Sequence, residues 1–202
     1  MAEAAAAVPT YLRPYVRARR ARGVAALLWD DRRSQRVRFE AIARICPLAG
    51  LHVLDVGCGK ADLLRFLHAR RIALASYTGL EAQPWLAREA RAALVGEGRI
   101  IVGDFVRQPA KLRTGADAIL FSGSLNLLSG AQFYRALERA WAATGRWLVF
   151  NFLSSPMLAA DECLMWRRRE SVLAFARKAA RFVRVDEGYE DGDCTVAMKK
   201  AG

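Results

Sequence analysis

Residues 53–59 read Val-Leu-Asp-Val-Gly-Cys-Gly, an apolar run with one acid, Asp55, that ends in a glycine turn. Gly57 permits a tight turn, and Gly59 lacks the side chain that would block a ligand from the backbone. A dinucleotide fingerprint places a third glycine at position 62, where a pyrophosphate packs on a helix N-terminus; this chain has Asp62. A carboxylate there suits the helix dipole and competes with a phosphate. The chemistry expected is therefore the binding of a nucleoside without phosphates. Glu81 lies 22 residues past Gly59, where an acid holds ribose hydroxyls. Asp55 is an acid inside an apolar strand, which is costly unless its oxygens are bonded.

These residues need strands to carry them and helices to cover them. The pattern predicts strands near 52–56, 76–80, 99–102, 117–121 and 147–152, with helices near 60–71, 84–95, 130–143 and 169–180. Asp191-Gly192 between Val183–Glu190 and Asp193–Met198 is a two-residue hairpin signal. Residues 10–46 read as two helices broken near Gly23 or Asp30-Asp31, with Ser34 as the cap of the second. Residues 1–9 read as a flexible tail and 10–202 as a single domain, 47–202 being its core.

The glycine turn resembles the first motif of the class I S-adenosylmethionine-dependent methyltransferases, and further matches follow in order. Tyr77 to Glu81 resembles the family's second strand, Arg99 to Phe105 its third strand and acidic loop, and Ala116 to Gly123 its fourth strand. The resemblance covers roughly residues 35–200. It implies an α/β, Rossmann-like seven-stranded sheet, mostly parallel with an antiparallel terminal strand, helices on both faces and an N-terminal helical cover. It implies S-adenosylmethionine as cofactor, held by Asp55, Gly57, Cys58, Gly59, Glu81, Ala82, Asp104, Phe105 and Ser122. Asp104 would meet the adenine amino group and Phe105 the ring; Asp55 would organise the turn or contact the amino acid part. Gln35 to Phe39 resembles a Gln-x-x-Arg-Phe segment of some small members, in which the arginine pairs with the cofactor's carboxylate. Arg38 is the candidate, a surface salt bridge being the alternative. Ala61 departs from a more glycine-rich motif and narrows the methionine pocket, while Lys60 reads as solvated. Glu81 as a mere helix-start carboxylate and Asp104 as a loop residue are the plain alternatives.

The substrate side should form from Ser122 to Asn126 and from Asn151 to Pro156, with Ser124, Asn126 and Asn151 orienting an acceptor or serving only as loop residues. Neither stretch carries the Asn/Asp-Pro-Pro-Tyr motif of methyltransferases acting on adenine, cytosine or glutamine amino groups. No general base is evident. His52 and His68 face away from the reaction zone, and Asp30, Asp31, Asp161 and Glu162 are remote carboxylates. Leu158 to Arg169 reads as a substrate lid, or as core packing through Met165 and Trp166.

The net charge of +12 is uneven. Residues 10–45 hold ten arginines against three acids (10 − 3 = +7), and residues 167–184 hold seven bases against Glu170 (7 − 1 = +6). If the segments meet beside the crevice they form a basic rim for RNA or another anion; arginine-rich composition alone is the other reading. The four cysteines are scattered, so neither a metal site nor a disulfide framework is expected, and a cytoplasmic setting fits. No apolar run approaches the roughly 20 residues of a membrane span. Three functions follow: a methyltransferase with a small-molecule acceptor, an RNA methyltransferase, or a non-catalytic S-adenosylmethionine-binding module. A dinucleotide oxidoreductase is opposed by Asp62 and the terminal hairpin.

Overall fold

The computed structural model describes residues 7–94, 98–159 and 163–201. Seven strands build one sheet: β1 His52–Val56, β2 Ser76–Glu81, β3 Arg99–Val102, β4 Ala118–Phe121, β5 Trp147–Leu153, β6 Phe182–Glu187 and β7 Asp193–Lys199. Their spatial order is β3-β2-β1-β4-β5-β7-β6. Neighbours from β3 to β5 pair in parallel, whereas β7 runs antiparallel to both β5 and β6. The central strands are buried on both faces, which is why they read as nearly continuous apolar runs rather than alternating ones.

Helices α1 Arg13–Ala18 and α2 Arg32–Ile45 precede the sheet. Helices α3 Asp62–Ala69, α4 Pro84–Ala93, α5 Gly130–Ala143 and α6 Arg169–Ala179 connect its strands. Successive β5 residues point to opposite faces. Leu148, Phe150 and Phe152 pack with Phe133 of α5 and Leu173 of α6, while Trp147 and Val149 pack with Ile42 of α2 and Leu63 of α3. Helices α2 and α6 cover opposite faces of the sheet, so the parts of the two basic segments that they carry are separated. The basic rim expected from their meeting does not form between these helices.

The N-terminal break is broader than a single turn. A 3-10 turn at Gly23–Leu27 lies between α1 and α2, and Leu28 adopts a left-handed conformation at its end. Asp31, not Ser34, caps α2: its carboxylate accepts the Ser34 N–H at 2.6 Å, which puts Ser34 in the first turn. The terminal hairpin exists, but its connection spans residues 188–192 instead of two residues. Gly188 and Gly192 both take positive φ there, so the Asp-Gly signal marks only the far end of the loop. Helix α3 starts at Asp62 because Lys60 and Ala61 belong to the turn. Val95 of the expected fourth helix lies outside the described residues, as do Asp161, Glu162 and residues 1–6 of the expected tail. Among the described residues no helix is long and apolar enough to cross a membrane.

Candidate functional site

The sheet reverses its strand order between β1 and β4, and ligands of open α/β sheets bind beyond the carboxyl ends of the strands at such a point. A cavity of about 100 Å³ lies there, under the N-terminal segment. Asp55, Gly57, Cys58, Gly59, Glu81, Ala82, Asp104, Phe105, Ser122, Ser124, Asn126 and Arg38 all line it. So twelve side chains or turns named from sequence converge on one place. Asn151 does not line it. That side chain is fully buried and its Oδ1 accepts the Gly123 N–H at 2.7 Å, so it supports the loop after β4 rather than facing a substrate.

The glycine turn has its expected backbone but a different neighbour. Gly57 has φ +74°, and its N–H donates to the Leu80 carbonyl at 2.7 Å. A Cβ on Gly57 would sit 2.4 Å from Ser124 Cβ, so its smallness admits the β4 loop. At Gly59 the space left by the missing side chain is taken by Leu27 of the cover, 2.8 Å from where a Cβ would stand. Trp29 lies over Gly123 in the same way, at 2.8 Å.

Glu81 ends β2 with both oxygens engaged: one accepts the Gly59 N–H at 2.9 Å, the other the Gln83 N–H at 2.8 Å. Burial raises its pKa to about 7 against these hydrogen bonds, with the nearby Asp55 adding to the rise. Asp55 is likewise pushed up to about 7 by burial, with the Tyr77 hydroxyl donating to it at 2.7 Å and pulling the other way. Asp104 accepts the Tyr11 hydroxyl at 2.6 Å and the Val106 N–H at 2.9 Å. Phe105 packs edge-on against Phe121, 5.4 Å between centroids. Asp62 accepts from Gln35 Nε2 at 3.2 Å and pairs with Arg65.

Arg38 does form a salt bridge, but a buried one. Its Nε donates to Asp193 of β7, its Nη1 to the Ser34 carbonyl at 3.0 Å, and its guanidinium lies 4.8 Å from the Trp29 ring centre. Tyr189 donates to the other Asp193 oxygen at 2.5 Å. The surface alternative for Arg38 is thereby removed, since both partners are almost fully buried. Lys60 pairs with Glu89 at 2.9 Å. His52 bonds Ser76 at 2.8 Å at the far end of β1, and neither His52 nor His68 lines the cavity. Asp30, named as remote, does line it, whereas Asp31 is spent on the cap. Met165 and Trp166 are 42% and 41% exposed, so neither is core. Leu158 and Leu164 of the same segment face the cavity.

Sequence reasoning missed Tyr11, Tyr15, Tyr77, Asp193 and the cavity position of Asp30. Only Tyr77 left a signal, as the residue of the second strand two places before Gly79, which pairs with Asp55 in the register. Charge decides what the cavity accepts. Five carboxyl groups line it (Asp30, Asp55, Asp62, Glu81 and Asp104), with the pKa of Asp55 and of Glu81 raised to about 7, against one guanidinium, Arg38, which also pairs with Asp193. A diphosphate would meet repulsion there, and a cation would not. Ser122 Oγ and Asn126 Oδ1 are buried without a protein partner and complete the polar lining.

No family model and no curated protein matches the chain. Solved structures do. Magnesium protoporphyrin IX methyltransferase from Synechocystis PCC 6803, with bound SAM, superposes with a TM-score of 0.68 at 13% identity, covering 97% of this chain and 99% of its own. Mitomycin 7-O-methyltransferase MmcR gives a TM-score of 0.63 at 19% identity over 95% of this chain and 68% of its own. The small RNA methyltransferase HEN1 gives 0.66 at 15% identity, covering 83% of this chain and 25% of its own. With this strand order, the glycine turn at its switch point and an antiparallel β7, the chain has the fold of the class I S-adenosylmethionine-dependent methyltransferases.

Proposed function

We propose that the protein binds S-adenosylmethionine and transfers its methyl group to a small-molecule acceptor. The observation that carries this is Glu81, whose carboxylate is fixed by the Gly59 and Gln83 N–H groups at the rim of β2, inside a cavity whose lining is mostly acidic. A carboxylate in that position suits ribose hydroxyls, and the acidic lining suits a cationic sulfonium and ammonium better than phosphates. Asp104 and Phe105 would hold the adenine, Asp55 and Arg38 the amino acid part, and Ser122 Oγ offers a spare hydrogen-bonding group. When bound, the cofactor supplies an electrophilic methyl group on a sulfonium that departs as a neutral thioether. The protein's contribution is alignment of that centre with the acceptor and exclusion of water by the cover.

Calorimetric titration with S-adenosylmethionine, S-adenosylhomocysteine and NAD tests the reading. Micromolar binding of the first two, lost in Glu81→Ala and weakened in Glu81→Gln, is expected. Absence of binding, or tighter binding of NAD, overturns it.

One observation favours a second reading. Arg13, Arg17, Arg19, Arg20, Arg22 and Arg32 form no ion pair among the described residues, and all lie in the segment that includes the cover. Such a cationic surface suits an RNA acceptor. It lies outside a cavity that is itself acidic, which is why the small-molecule reading comes first.

A further inference from the structure

Resting on the reading above, we propose that the acceptor is an uncharged, largely apolar small molecule bearing a hydroxyl or N–H group, and that Asn126 selects it. Asn126 is 7% exposed, lines the cavity, and has a side-chain oxygen with no hydrogen-bond donor in the protein. Its backbone is fully committed: the N–H donates to the Gly123 carbonyl at 3.2 Å and the carbonyl accepts the Met165 N–H at 2.7 Å. The backbone is therefore held in place while the side-chain oxygen is left without a donor. A buried polar atom without a partner is unfavourable, and native proteins retain few of them. At a cavity wall, the group that completes it is a ligand's donor.

The surroundings set the rest of the ligand. Leu127, Leu128, Leu153, Leu158 and Leu164 line the same cavity around Asn126, so the body that fits beside its amide is apolar. An anionic acceptor is opposed by the acidic lining and finds no spare cation, since Arg38 is shared between Asp193 and, in the reading above, the cofactor's carboxylate. An ammonium is excluded on different grounds: leucines strip its hydration, and a protonated amine has no lone pair with which to attack a methyl group. A neutral hydroxyl or N–H satisfies the Asn126 oxygen and retains a lone pair on the same atom. That lone pair bonds the methyl carbon as the carbon–sulfur bond breaks, releasing S-adenosylhomocysteine, and the acceptor's proton passes to water.

The test is binding to the full chain saturated with S-adenosylhomocysteine. The probes are neutral phenols and alcohols of graded size, 2-naphthol among them, each paired with its phosphate ester and its unsubstituted hydrocarbon. At least one neutral member should bind about tenfold more tightly than both of its counterparts. Asn126→Leu should abolish the preference over the hydrocarbon, keep S-adenosylhomocysteine affinity within about twofold, and melt no lower than the natural protein, because the lost side-chain oxygen accepts no internal bond. Equal or tighter binding of the phosphate esters overturns the proposal. So does a lower melting temperature of Asn126→Leu with probe preference intact, which marks the amide as structural, and so does the failure of every neutral member to bind. If S-adenosylhomocysteine itself fails to bind, the cofactor reading has fallen, and the two failures are told apart at the first titration.

Discussion

Ala61 holds φ 60° and ψ 34° at the N-terminus of α3, a left-handed conformation that costs a residue with a Cβ roughly 1–2 kcal/mol. Ala61→Gly relieves it, offset in part by the larger entropy of glycine in the unfolded chain. The expected net gain is about 1 kcal/mol, read as a higher urea midpoint at unchanged slope. This residue also answers the departure from a more glycine-rich motif: Ala61 does not line the cavity, so the strain is local to the turn and the pocket is not narrowed by it. At Asp55 and Glu81 the expectation concerns pH. Both carboxyls titrate near 7 when folded, well above their unfolded values. Between about pH 4.5 and 7 the folded state binds more protons than the unfolded one, so these two groups lower stability as pH rises through that window. The melting temperature should fall from pH 5.5 to pH 8, and Asp55→Asn should flatten the slope. Affinity for a cationic ligand should move oppositely, rising as Glu81 ionises, as calorimetry at pH 6 and pH 8 will read.

Between elements, the Arg38–Asp193 pair fastens α2 to β7. Removing one partner leaves a buried charge alone, so Asp193→Ala should destabilise by about 3–5 kcal/mol in chemical denaturation, with Arg38→Met/Asp193→Leu recovering most of it. A second expectation concerns the cover. The cavity of about 100 Å³ is below the roughly 300 Å³ of common ligand sites, and Leu27 and Trp29, which line it, rest on Gly59 and Gly123. Trp29→Ala should raise the association rate of S-adenosylhomocysteine in stopped-flow measurements by widening the entrance. The strands and the four helices after β1 were legible because their apolar periods are strong and their caps local, as with Ser129 and Gln132 at α5. What escaped was set by tertiary contact. Arg38 and Asp193 are 155 residues apart, Tyr11 and Asp104 are 93 apart, and no spacing rule links them. Asn151 read as a substrate residue because its position at the end of β5 is right; its amide turns inward to Gly123, which only the packed sheet decides.

At the scale of the molecule, the charge of +12 separates from the site. Exposed arginines of the cover should bind single-stranded oligonucleotides weakly, with affinity falling steeply as salt rises. Fluorescence anisotropy should find that binding unchanged by S-adenosylhomocysteine; coupling between the two ligands would instead favour the RNA reading. The sheet order has a further consequence, in the order of synthesis. β7 lies between β5 and β6 and is the last of the seven strands to leave the ribosome, yet it carries the carboxylate that Arg38 of α2 requires. Until β7 arrives, β5 has an open edge and the buried arginine has no counter-ion. The emerging chain must therefore hold an early helix in waiting for a late strand, and the Arg38 wall of the cavity is fixed only when α2 has met β7.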